Sequence, residues 1–399
     1  MHRMSLALSL IIGALVGGLA AILPLRSAVA ADAYDIHVIE PLTGGGSFIG
    51  KGQLDNLTLL EGYVNKNGGI RGRPVHFVFQ DNQSSPQLTV QIANEILAGQ
   101  PAVILGTPIT AQCNAIAPLM KNGPVLYCLT PGVHPADGSY VFSTSVSTFD
   151  LISTLIRFFR LKGWTNIAVI TSTDSSGQDA DRGIDLALAQ PENATVTKVV
   201  HEHFNPTDVS IAAQIERIKL AQPQALIAWT TGAPVATIFR GLKQAGLEIP
   251  IGTTNGNQIF SQMAQYVSFL PKQLYFPSSV FPEHKGLLTL DPRVEKAQQD
   301  MLAVLTAGGI KADNQTGMTW DPAMIVIAAL RDLGPNATAA QVRQYIAGLT
   351  GFAGINGIHD FKAWPQRGLG TENAAVVSYD GEQQRWVWKS KPGGEPLSQ

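Results

Sequence analysis

From Asp35 onward, short runs rich in β-branched residues alternate with longer stretches whose apolar residues recur at helical spacing. The extended runs fall at 36–40, 76–80, 102–106, 125–130 and 140–145. A second series follows at 166–172, 195–204, 225–231, 249–253 and 274–276. Between them the spacing predicts helices over 86–98, 147–162, 208–220 and 234–245. Ser85 is the cap of the first and Pro86 its first residue. Such alternation means parallel sheet covered on both faces, and its occurrence twice predicts two doubly wound α/β lobes of about five strands each. Ligands of these sheets sit beyond the carboxyl ends of the strands. The loops that matter are therefore 44–51, 106–111, 130–134, 173–178, 230–233 and 253–257. Further helices are expected at 292–307, 321–333 and 338–348, then extended segments with Asp380-Gly381 as a hairpin turn.

The N-terminus changes the picture. His2 and Arg3 precede an apolar stretch over 6–25, and Ala28-Val29-Ala30 is a small-x-small cleavage pattern. The reading taken is a signal peptide over 1–30, cleaved after Ala30, and a periplasmic mature chain; the alternative is an uncleaved anchor. The 399 residues are 45% hydrophobic and 15% charged, which supports a folded core and argues against disorder. Net charge of −2 leaves no electrostatic footprint for nucleic acid. Cys113 and Cys128 are the two cysteines. In an oxidising compartment they either form one bridge, worth about 3 kcal/mol, or stay as two buried thiols.

Catalytic and cofactor motifs are missing. "GGGSFIGKG" matches the start of a phosphate-binding G-x-x-x-x-G-K-[ST] loop through Gly45, Gly50 and Lys51, but Gly52 stands where a hydroxyl must hold magnesium. The dinucleotide spacing fails in the same loop, and Asp81 lies too far along to serve it. No G-x-S-x-G, HExxH or EF-hand pattern occurs. His201-Glu202-His203 places two histidines on one strand face. That pair alone is too few ligands for a metal, and a solvated strand edge is the plainer reading. Neither an enzyme nor a cofactor is expected. The loops instead carry Ser47, Thr107, Thr110, Thr130, Ser175, Ser176, Thr230, Thr231, Thr254 and Asn255, with Phe48, Tyr127 and Trp229 nearby. Hydroxyls, an amide and aromatics on one rim suit a small ligand with an apolar body and a polar head.

Several stretches together resemble the type I periplasmic solute-binding proteins of ABC transporters, in the leucine/isoleucine/valine-binding group. They are "NKNGGIRGRPVHFVFQDNQSSPQLTVQIANEILAG", "PLTGGGSFIGKGQ", "CLTPGVHP", "TWDPAMIVIAAL" and "GFAGINGIHDF". The resemblance implies two lobes joined by three crossovers, closing over one ligand and delivering it to a membrane permease. The first lobe would comprise 34–147 and 277–370, the second 148–276 and 371–392, with 393–399 a disordered tail. A monomer is expected. Carried over position by position, the implied contacts are Phe48 and Ile49, then Thr110 and Ala111 around the ligand's carboxylate. Leu129, Thr130 and His134 follow, and in the second lobe Ser176, Thr231, Gly232, Thr254 and Asn255. Amino-acid binders of this group usually carry a tyrosine where Ser176 stands and a carboxylate near Asn255. Both are missing here, with Asp174 and Asp179 the candidates to substitute. The expected ligand is therefore a carboxylate without an amine, an aromatic acid such as a benzoate or phenylpropenoate. The alternatives are an amino acid in the same transport role, or a ligand-sensing domain.

Overall fold

The computed structural model describes residues 32–279 and 289–397. The expected signal peptide and its cleavage point lie outside the described residues. In the first lobe, strands β1 (Tyr34–Glu40), β2 (Val75–Asp81), β3 (Val103–Gly106), β4 (Val125–Cys128) and β5 (Val141–Ser143) form an all-parallel sheet in the order β2-β1-β3-β4-β5. Helices α1 (Ser47–Lys66), α2 (Pro86–Ala98) and α3 (Thr110–Ile116) connect its strands. The twofold period of β1 divides its residues between two cores. Ile36 and Val38 join Leu57, Leu60 and Trp320 on one face, and Ile39 joins Ile96, Ile104 and Leu126 on the other. Cys113 and Cys128 lie in that second cluster and are joined as a disulfide, their Cα atoms 6.1 Å apart.

The second lobe repeats the winding. Helices α4 (Thr148–Leu161), α5 (Ser175–Leu188), α6 (Ala212–Leu220), α7 (Val235–Gln244) and α8 (Phe260–Tyr266) alternate with β6 (Asn166–Ser172), β7 (Thr197–Phe204), β8 (Ala225–Trp229), β9 (Ile251–Thr253) and β10 (Leu274–Ser279). All five residues of β8 are buried: Leu226 and Ala228 on one face, Ala225, Ile227 and Trp229 on the other. The chain then returns to the first lobe as α9 (Pro292–Ala307), α10 (Asn314–Leu333), α11 (Ala339–Gly348) and the small hairpin of β11 (Thr350–Gly354) and β12 (Gly357–Asp360). Asp321, in the middle of α10, holds that hairpin by accepting from the Ile355 and Asn356 N–H groups at 2.7 and 3.1 Å. Strands β13 (Ala374–Asp380) and β14 (Arg385–Trp388) finish the second lobe.

Three differences from expectation are physical. The second sheet has seven strands, ordered β14-β13-β10-β9-β8-β6-β7, and is mixed rather than parallel, because the C-terminal hairpin adds antiparallel to β10. Helix α10 starts seven residues before 321, under a capping box from Asp313 and Thr316. The stretch from 393 is ordered as far as Leu397, against the expected tail. Ser390 pairs with Pro396, Arg157 donates to the Gly393 carbonyl at 3.3 Å, and Gly394 lies against the Thr154 backbone. Among the described residues no helix is long and apolar enough to cross a membrane.

Candidate functional site

In both sheets the strand order reverses at one point, between β1 and β3 and between β6 and β8. The loops leaving those strands face one another across the lobes, as doubly wound sheets require of a binding crevice. Ile49 comes from the first turn of α1, Pro108 and Thr110 from the β3–α3 connection, and Leu129 to Gly132 from the end of β4. The second lobe contributes Thr148, Ser176, Trp229, Thr231 and Thr254 to Gly256, and the start of α10 adds Gln315 and Met318. The room between these walls is about 20 Å³, on the order of one water-sized sphere, so the lobes stand close together.

The walls are hydroxyl-rich and partly apolar. The Thr110 and Thr130 hydroxyls meet at 3.0 Å, and those of Ser176 and Thr231 at 2.9 Å. Asp174 caps α5 by accepting from the Ser176 and Gly177 N–H groups, both at 3.1 Å, which sets Ser176 at the rim. Thr254 accepts from Gly256 N–H at 3.2 Å and holds the turn over Asn255 to Asn257. Gln315 links the lobes, donating to the Gly256 carbonyl at 3.2 Å while accepting from Gln53 at 3.0 Å. Among the described residues, no Asp, Glu, His, Lys or Arg lines the cavity. Asp174 is committed to its cap. Asp179 is 1% exposed and engaged by His134 at 2.9 and 3.2 Å and by Arg182 at 2.8 Å.

Of the residues anticipated from sequence, Ile49, Thr110, Leu129, Thr130, Ser176, Thr231, Thr254 and Asn255 line this cavity. Phe48, Ala111, His134 and Gly232 lie outside this lining. Helix α1 already turns at Ser47, so Ile49 faces the cleft and Phe48 packs on the second lobe, edge-on to Tyr266 with ring centroids 6.2 Å apart. His134 stacks on Phe149 at 4.1 Å and holds Asp179. Ala111 sits behind Thr110 in the first turn of α3. Gly232, at φ +84°, abuts Gly45, whose carbonyl accepts from the Ala233 N–H at 3.1 Å. The glycine loop is thus a lobe-to-lobe contact and not a phosphate cradle. Asp81, without a role at sequence level, anchors that loop by accepting from the Leu42 N–H at 2.9 Å and the Thr43 hydroxyl at 2.8 Å. Gln315, Met318 and Thr148 were not anticipated. Trp229 was legible only as an aromatic close to the rim.

The comparisons with known proteins agree with this architecture. A leucine-, isoleucine-, valine-, threonine- and alanine-binding protein of Pseudomonas aeruginosa is 23% identical over 226 residues, 55% of this chain and 60% of that protein. The match therefore spans about 60% of that relative's length, less than two thirds. An extracellular ligand-binding receptor from Rhodopseudomonas palustris HaA2 shares the fold at a TM-score of 0.77 and 18% identity, covering 90% of this chain and 99% of that one. A branched-chain amino acid transporter substrate-binding protein, LivJ of Streptococcus pneumoniae in complex with isoleucine, does so at 0.74 and 15%, covering 89% and 97%. The family described as periplasmic binding protein matches residues 34–384, and this chain belongs to it.

Proposed function

We propose that the chain is the periplasmic solute receptor of an ABC importer, acting as a monomer without catalysis. It closes its lobes over a small carboxylate that has an apolar body and no amine, an aromatic acid such as a benzoate or phenylpropenoate, and presents it to a membrane permease. The observation that carries this reading is that none of the described residues lining the cleft has an ionisable side chain. A buried ammonium needs a counter-charge, and without one its burial costs several kcal/mol. A carboxylate can instead be met by neutral donors. The hydroxyls of Thr110 and Thr130 and the first-turn N–H groups of α3 supply them, while Ile49, Leu129, Trp229 and Met318 suit an apolar body.

A second reading, an amino-acid ligand, is favoured by the names of the relatives and by Asp179. Its Oδ2 stands 3.3 Å from where a side chain on the cleft residue Gly132 would begin. Isothermal titration of the mature protein against benzoate, 4-hydroxycinnamate, leucine and valine separates the two. Saturable heat from the aromatic acids, retained in Asp179→Asn, is expected. Tight binding of leucine or valine with none from the acids, lost in Asp179→Asn, would overturn the first reading in favour of the second.

A further inference from the structure

Far from the sheet centre, β7 is an edge strand of the second lobe, paired among the described residues to β6 alone. His201 and His203 lie two residues apart on it and project to the face covered by α5, where Asp181 meets both. The His201 Nε2 lies 2.9 Å from Asp181 Oδ1, and the His203 Nε2 lies 3.0 Å from Oδ2. The two rings are 4.4 Å apart, centroid to centroid. Glu202 points the other way and is taken by Arg217 of α6 in a two-pronged pair at 2.7 and 2.6 Å. The three-residue motif therefore divides into two ligands on one face and a salt bridge on the other.

We propose that Asp181, His201 and His203 form a binding site for a divalent transition metal of the zinc and copper type. Two imidazoles and one carboxylate are the donor set such ions favour over magnesium or calcium. One ligand atom from each residue lies within 4.8 Å of the others. A tetrahedral ion with bonds of about 2.0–2.1 Å holds its ligands roughly 3.3 Å apart, and each imidazole already stands near that distance from the carboxylate, at 2.9 and 3.0 Å. The carboxylate is oriented from behind: the Thr171 hydroxyl on β6 donates to Asp181 Oδ1 at 2.8 Å, as outer-shell groups do for ligating carboxylates. Half of the His203 side chain faces solvent, which leaves an entry path and room for water as a further ligand. Bound metal would tie α5, β7 and β6 together at the exposed edge of the sheet.

The test uses the mature chain without a polyhistidine tag, stripped with a chelator and titrated with Zn2+ by calorimetry and by thermal melting. One equivalent per chain is expected, with a rise in melting temperature. Asp181→Asn and the exposed His203→Gln should each weaken Zn2+ binding at least tenfold while retaining the fold by circular dichroism. Glu202→Gln, on the opposite face, should leave it unchanged. Absence of stoichiometric Zn2+ binding by the unaltered chain, or undiminished binding in both ligand variants, would overturn the assignment.

Discussion

Ser176 reaches the cleft rim because of the residue that follows it. A side chain at Gly177 would begin 1.7 Å from the Ser172 carbonyl, so the first turn of α5 lies directly on the end of β6. Gly177→Ala must lift that turn and carry Ser176 with it. We expect a destabilisation of about 1–3 kcal/mol, in the range of other overpacking changes, together with at least tenfold weaker ligand binding. Thermal melting and calorimetry read the two effects, and an unchanged variant would mean that the turn shifts freely. Most cleft residues were legible because they are hydroxyls at strand ends: Thr110, Thr130, Ser176, Thr231 and Thr254. Gln315 and Met318 were not, since they reach the cleft from a helix whose first turns carry no apolar rhythm. There the neighbours Asn314, Thr316 and Thr319 face other polar groups, with Asn314 donating to the Asn255 carbonyl at 3.0 Å.

At the scale of elements, boundaries were readable where local chemistry marks them. Helices α2 and α9 begin as expected, each with a side-chain cap and a proline at its first position, Ser85-Pro86 and Asp291-Pro292. Helix α10 was misjudged because its cap, Asp313, works partly in tertiary structure. It accepts from the Gln315 N–H at 3.0 Å within the helix and from the Phe260 N–H at 3.3 Å in the other lobe. Burial raises its carboxyl from 3.8 to about 6, against the opposing effect of those bonds. The folded chain therefore holds more protons than the unfolded chain between those values. That contribution to stability is full below the lower value and is lost as pH rises through about 6. Asp313→Asn keeps the acceptor and removes the titration. The variant should gain in melting temperature relative to the parent between pH 4 and pH 7.5, and a difference independent of pH would refute this.

At the scale of the molecule, the contacts across the lobes include Gly45 with Ala233, His134 with Asp179, Phe48 on Tyr266, and the start of α10 on Asn255, Gly256 and Phe260. Arg367 clasps the carbonyls of Pro131, Val133, Thr144 and Ser145 where the chain passes between lobes, and burial brings its guanidinium down to about 10. Phe48, packed on the second lobe, bears on how the lobes meet. Phe48→Ala should raise the ligand Kd about tenfold and enlarge the unliganded chain in small-angle scattering. Lys51→Ala, exposed on α1, should change neither; equal effects of the two would remove Phe48 from closure. Sequence by itself determined the two wound lobes, their strand ends and the neutral hydroxyl character of the rim. These follow from periodicity and from residue types at fixed offsets, which are local. Only the tertiary structure decided that Ile49 and not Phe48 faces the cleft, and that Asp81 anchors the glycine loop. It alone brought Asp181 to the two histidines of β7. Each of these depends on which face of a helix meets a distant segment, and that is set by packing between elements far apart in the chain.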